Sequence, residues 1–199
     1  MYDMLGNPEF FSIEECKSAG LWPFTFLSAY AMVPYIKRMR GDDITGVEVG
    51  VLKGESSYVL LEECPNIKML YGVDSYKPHT DYETVRSQED MDQYKTIAEK
   101  NLEPYKDRYE LKVMDSHKAA MTSRKESLDF VLLDGDHTYD GIKRDLKDWY
   151  PKIKSGGYIF IHDTHVPHVH DAIKSFKDEN KIRIPLLRSK NQVSFWVKA

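Results

Sequence analysis

Residues 47–57, VEVGVLKGESS, constrain the fold more than any other stretch of the chain. An apolar run carrying one acid, Glu48, ends at Gly50; Gly54 follows four positions later, and Ser56 and Ser57 open a helix-like segment. A strand that feeds a glycine turn and then a helix is the opening half of a strand-helix-strand unit. Glycines at such a turn admit close approach of backbone N–H groups to a ligand, and a helix start adds unpaired donors and a partial positive charge. An anionic or polar ligand is therefore expected here. The glycines lie four apart, which differs from the G-x-G-x-x-G of dinucleotide-binding domains.

The unit then repeats. Strands are expected at 45–51, 69–74, 110–114, 128–134 and 158–162, each apolar nearly throughout, as for parallel strands covered on both faces. Helices are expected between them at 56–63, 88–102, 117–122 and 138–149, which gives an α/β fold with a Rossmann-like doubly wound sheet. Strand-like runs at 183–188 and 193–197 are separated only by Ser189, Lys190, Asn191 and Gln192, too few for a crossover helix, so the sheet is expected to finish in an antiparallel hairpin. Residues 8–40 hold Phe10, Phe11, Ile13, Trp22, Phe24 and Phe26, interrupted by Pro23 and Pro34, and read as short helices joined by turns. The expected division is a helical extension or lid over 1–40 and a ligand-binding domain over 41–199.

At 199 residues the chain suits one core. Lys and Arg number 28 against 32 Asp and Glu, so a net charge of −4 offers phosphate backbones no global attraction. Cys16 and Cys64 form no CxxC motif, which argues against a disulfide framework or cysteine metal site and fits a reducing, cytoplasmic setting. No apolar stretch approaches the roughly 20 residues that span a bilayer. The expected partner is a small-molecule substrate, without nucleic acid or membrane, and the N-terminal helices could serve a homo-oligomer.

In doubly wound sheets ligands bind outside the carboxyl ends of the strands. The polar residues fall there: Gly50 and Gly54, then Asp74, Asp115 with Ser116, Asp134 with Asp136 and His137, and His162 with Asp163. Asp74 lies 24 residues after Gly50, where an acid accepts hydrogen bonds from ribose hydroxyls. Asp115 and Ser116 either pair with an adenine edge or cap the next helix. In LLDGDHTYD, Asp134 and Asp163 end strands expected to be neighbours, so their carboxylates can converge on one hard cation; His137 beside it could take a proton from a substrate hydroxyl, while Asp136 reads as a helix cap. The run HDTHVPHVH suggests zinc, but Pro167 marks it as an exposed loop at the mouth of the site, with His162 the exception. The long connection from Tyr76 to Asp107, with Tyr82, Tyr94 and Tyr105, is expected to cover part of the site, its second half being a helix with Ile97, Ala98 and Leu102 toward the core.

EVGVLKGES and VLLDGDHTYDGIKRDLKDWYPKIKSGGYIFIHDT together resemble the class I S-adenosylmethionine-dependent methyltransferases. The likeness is to the branch of catechol O-methyltransferases and of sugar, macrocin and cephalosporin-tailoring enzymes. It covers residue 45 to the C-terminus and includes the terminal hairpin. It implies that Glu48 and Gly50 line the methionine end of the cofactor, Ser56 meets its carboxylate and Asp74 its ribose, and Asp115 and Ser116 lie near adenine. Val51, Gly54 and Asp134 would also border it. Asp134 and Asp163 would hold a divalent metal, expected to be magnesium, with His162 contributing. His137 stands where catechol-type enzymes carry a catalytic lysine, and Thr164 where that branch has an amide ligand. The implied reaction is metal-assisted O-methylation of a small hydroxylated molecule, with Asp134 and His137 at its centre. The alternatives are a metal-dependent hydrolase of phosphoesterase type, a nicotinamide oxidoreductase, which the glycine spacing and hairpin disfavour, and a non-catalytic nucleoside-binding module.

Overall fold

The computed structural model describes residues 24–41, 43–81, 84–189 and 192–199. In chain order the elements are α1 (Phe24–Ile36), β1 (Ile44–Val49), α2 (Glu55–Glu63), β2 (Ile67–Asp74), β3 (His79–Asp81), β4 (Thr84–Arg86), α3 (Gln88–Leu102), β5 (Tyr109–Val113), α4 (Ser116–Thr122), β6 (Leu128–Leu133), α5 (Tyr139–Trp149), β7 (Ile153–Ile161), α6 (Pro167–Glu179), β8 (Leu187–Arg188) and β9 (Ser194–Val197). The main sheet has seven strands in the order β5-β2-β1-β6-β7-β9-β8, and β3 and β4 form a separate antiparallel pair. Strands β5 to β7 in that order are parallel; β9 runs antiparallel to β7 and to β8. The Rossmann-like sheet and its antiparallel finish are both present.

Strand β6, LDFVLL, shows why both faces must be covered. Phe130 and Leu132 enter one core with Leu60, Ile67, Leu70 and Phe160, beneath α1, α2 and α3. Val131 and Leu133 enter the other with Val47, Ile159, Ile142 and Phe176, beneath α5 and α6. Alternate residues point to opposite faces, so a strand buried twice must be apolar throughout. Helix α5 follows the complementary rule: Ile142, Leu146 and Trp149 recur at helical spacing and are buried, and Thr138 caps its start by accepting a hydrogen bond from the Gly141 N–H at 3.0 Å.

Several expectations change. Pro34 does not end a helix but lies in the last turn of α1, exposed, while Ala29, Met32, Val33 and Ile36 bury the opposite side. Phe10, Phe11, Ile13 and Trp22 lie outside the described residues, as does Tyr82. The run from His165 to His170 is not a loop throughout: Pro167 is the first residue of α6, where its missing N–H costs nothing, and Val169, Ala172, Ile173 and Phe176 are buried. The expected strand at 183–188 shrinks to Leu187–Arg188, because Ile182, Ile184 and Leu186 pack on the second core instead of pairing in the sheet. Tyr76 and Tyr94 of the long connection are buried in the first core. Among the described residues no helix is long and apolar enough to cross a membrane.

The carboxyl ends of β1 and β6 nearly touch. Gly50 has φ +88°, and a Cβ there would lie 2.2 Å from the Asp134 carbonyl oxygen. Gly50→Ala is therefore expected to cost at least about 3 kcal/mol of stability, measured by urea denaturation. A change below about 1 kcal/mol would show that the two strand ends separate easily.

Candidate functional site

The turn after β1 is shaped by the acid at the end of β2. Asp74 Oδ2 accepts the N–H groups of Val51 and Leu52, each at 3.0 Å, and Oδ1 accepts that of Tyr76 at 2.8 Å. The Tyr76 hydroxyl donates back to the Leu52 carbonyl at 2.9 Å. A carboxylate has about four acceptor positions, so three are already engaged in holding the turn. Asp74 thus fixes the loop in which Gly54, with φ +80°, precedes α2; a Cβ on Gly54 would meet Leu102 at 2.7 Å. Gly54 gives α2 no side-chain cap, and Ser56 is buried in the first turn. Apart from the Glu55 N–H, which its own carboxylate accepts, the opening N–H groups of α2 keep their capacity to bind an anion.

Glu48 is 1% exposed and accepts a hydrogen bond from Ser57. Burial pushes its carboxyl well above the usual range; nearby Asp134, Glu55 and Asp74 add to this, and the Ser57 hydroxyl opposes it. Lys53 and Glu55, both buried, approach to 4.0 Å, and Lys53 Nζ sits 5.1 Å from the centre of the Tyr94 ring.

One strand across, Asp134, His137, His162 and Asp163 gather. Asp134 Oδ1 lies 3.3 Å from His137 Nε2 and 3.0 Å from His162 Nδ1. Asp163 Oδ1 lies 3.2 Å from His162 Nδ1, and Oδ2 lies 3.7 Å from His137 Nε2. Asp163 has φ +53°, in the left-handed region. Burial would raise the Asp134 carboxyl, but the charges of His162 and His137 and the His137 hydrogen bond outweigh it and hold Asp134 below its ordinary range. Burial would likewise depress the His162 imidazole, yet Asp134 and Asp163 hold it up at about 10. Although His162 Nδ1 is close to two carboxylate oxygens, it is buried without meeting hydrogen-bond geometry to either. Ligand atoms of Asp134, His137 and His162 lie within 4.8 Å of one another, a spacing a single cation can bridge. The donor set, carboxylate oxygens and imidazole nitrogens around an orphaned nitrogen, fits a divalent metal.

The structure separates other candidates from this cluster. The Thr164 hydroxyl bonds Ser194 at 2.6 Å and so is committed to β9. Of the remaining histidines in the run, only His165 approaches, at 3.8 Å from Asp163, and it is 56% exposed. Asp136 accepts the Thr138 N–H at 2.9 Å, as a turn residue before α5. Asp115 is the cap of α4, accepting from the Lys118 N–H at 3.3 Å. Ser116 donates to Asp145 at 2.7 Å and accepts from the Trp149 indole N–H at 2.8 Å. Asp145 was not legible in the sequence: it sits among Arg144, Lys147 and Asp148, but helical spacing from Ile142 and Trp149 places it on the buried side of α5.

A family model described as a methyltransferase domain matches residues 47–164, more than half of the chain. The chain belongs to the methyltransferase-domain family. The match starts within β1 and ends beyond Asp163, so it contains both halves of the site of this methyltransferase. No curated protein sequence shows a detectable match. Among solved structures, a protein from Corynebacterium glutamicum superposes with a TM-score of 0.65 at 12% identity, over 94% of this chain and 87% of its own. The O-methyltransferase NovP gives 0.61 at 17%, over 88% and 78%. An O-methyltransferase from Bacillus cereus, solved in complex with SAH, gives 0.57 at 15%, over 87% and 80%. At such identities these similarities establish the shared class I methyltransferase fold.

Asp145 yields a prediction of pH dependence. It is 1% exposed, and burial moves its carboxyl from 3.8 up to about 6 against the opposing Ser116 hydrogen bond. The folded state therefore binds this proton more tightly than the unfolded chain, so stability falls as pH rises from about 4 through about 6. Asp145→Asn, which keeps an acceptor for Ser116, is expected to match the wild type near pH 4 and to exceed it by about 2 kcal/mol at pH 8. Parallel urea melts at the two pH values measure the difference.

Proposed function

We propose that this methyltransferase moves a methyl group from S-adenosylmethionine to a hydroxyl oxygen of a small molecule, with a divalent cation at Asp134, His162 and Asp163. The observation that carries this reading is adjacency. The turn held by Asp74 and the carboxylate-imidazole cluster leave neighbouring strand ends, joined by the Asp134 N–H donating to Val49 at 2.8 Å.

The chain's own groups supply binding, orientation and proton transfer. The uncapped start of α2, with Ser56, suits the cofactor's carboxylate, and Asp74 keeps one acceptor position for a ribose hydroxyl. Glu48 is buried as a proton-holding acid; a cationic ammonium brought beside it favours the ionised form. Asp115 and Ser116 border the adenine side, acting through the shape of the β5–α4 turn since their side chains are engaged in capping and in the Asp145 bond. When bound, the sulfonium presents an activated methyl group and the cation acidifies a hydroxyl held against it. His137, beside Asp134, accepts the hydroxyl proton. The oxygen lone pair then forms the new bond to carbon as the carbon-sulfur bond breaks, leaving a neutral thioether. Much of the rate comes from holding these atoms in line. Imidazole beside carboxylate suits manganese, iron or zinc as well as magnesium.

Isothermal titration is expected to give micromolar binding of S-adenosylmethionine and S-adenosylhomocysteine. Asp74→Asn, which replaces an acceptor oxygen with a donor, is expected to weaken it at least about tenfold while circular dichroism stays unchanged. Folded wild-type protein that binds neither compound would end the reading. For the cation, chelator is expected to abolish methylation of a screened panel of hydroxylated sugars and catechols, with Mn2+ or Mg2+ restoring it. Turnover that resists chelation would leave methyl transfer in place and remove the metal from it.

A further inference from the structure

The cluster at the carboxyl ends of β6 and β7 has a contact from outside the family-matched region. Ser28, in α1, lies 134 positions before His162 in the chain, and its Oγ is 2.9 Å from His162 Nε2. Both side chains are sheltered: Ser28 is 6% exposed, and the His162 side chain 12%. Helix α1 is anchored by Ala29, Met32, Val33 and Ile36, buried in the first core with Leu60 and Leu61 of α2. The hydroxyl is therefore presented from a packed element.

We propose that Ser28 is a positioning residue for His162: its oxygen accepts the Nε2–H and so aims Nδ1 at the space between Asp134 and Asp163. This rests on the cation reading above for its consequence but not for its geometry. An imidazole can rotate by half a turn about its bond to Cβ with little change in shape, exchanging nitrogens for carbons. Only one of the two orientations puts Nε2 against Ser28 while placing Nδ1 at 3.0 and 3.2 Å from the two carboxylates. A hydrogen bond at the far nitrogen selects that orientation and holds a proton on Nε2, so that Nδ1 is the nitrogen a cation would meet, in exchange for the proton it shares with the two carboxylates. The N-terminal helix thereby becomes part of the site through Ser28.

The test compares wild type with Ser28→Ala and Ser28→Thr, each checked for folding by circular dichroism. Long-range 1H–15N spectra report the hydrogen-bonded Nε2 proton of His162, and titration with Mn2+ reports cation affinity. Wild type and Ser28→Thr are expected to show the protected proton. Ser28→Ala is expected to lose it and to bind Mn2+ at least about tenfold more weakly. An alanine variant that retains the Nε2 proton signal, or keeps wild-type Mn2+ affinity when wild type binds it, overturns the inference. If wild type takes up no Mn2+ but the Nε2 signal disappears only in Ser28→Ala, the positioning stands and the cation reading falls. Should the alanine variant fail to fold, Ser28→Cys supplies a weaker acceptor for the same contrast.

Discussion

The close approach of the carboxyl ends of β1 and β6 is the constraint on which the rest depends. Gly50 lies against the backbone of Asp134, whose N–H donates to Val49 at the end of β1, while the Gly50 N–H donates across to Val73 of β2. With any side chain at position 50 the glycine turn and the carboxylate cluster would be forced apart. Glycine there is thus required first by the packing of one strand end on another.

The second half of the arrangement is electrostatic. Four ionisable groups, Asp134, His137, His162 and Asp163, share a small sheltered volume in which isolated charges would be costly. Each carboxylate is offset by imidazole, and the imidazoles are in turn held by the carboxylates. Glu48, just beyond, lacks a cationic partner of this kind, and burial raises its carboxyl well above the usual range. Neighbouring acids are therefore pushed in opposite directions, Glu48 toward its neutral form and Asp134 toward its charged one, a division imposed by surroundings and not by residue type.

What the sequence made legible follows from how local the controlling physics is. The apolar runs of β1, β2, β6 and β7, the turn glycines and the acids at strand ends are each set by neighbours in the chain, and all were readable. Pro167 misled because proline is equally at home in a loop and at the first position of a helix, and only the buried spacing of Val169, Ile173 and Phe176 decides between them. Asp74 was readable as an acid at the end of β2, but its three bonds to the turn depend on how the loop folds back. Asp145 and Ser28 were beyond reach: each acts on a partner on a different element, 29 positions away for Ser116 and 134 for His162. No periodicity within a segment encodes such a meeting.

The place of β9 carries a consequence for the order of assembly. The last strand of the chain does not extend the edge of the sheet but lies between β7 and β8, and Ser194 at its start holds Thr164, the neighbour of Asp163. During synthesis, β6 and β7 can emerge and pair while the segment bearing Asp163 still lacks its anchor, and the flank of β7, with Tyr158 and Phe160, stays uncovered. The Asp163 segment therefore gains its anchor only once β9 has been made, so the parallel part of the sheet can form before the carboxylate-imidazole cluster is fixed in place.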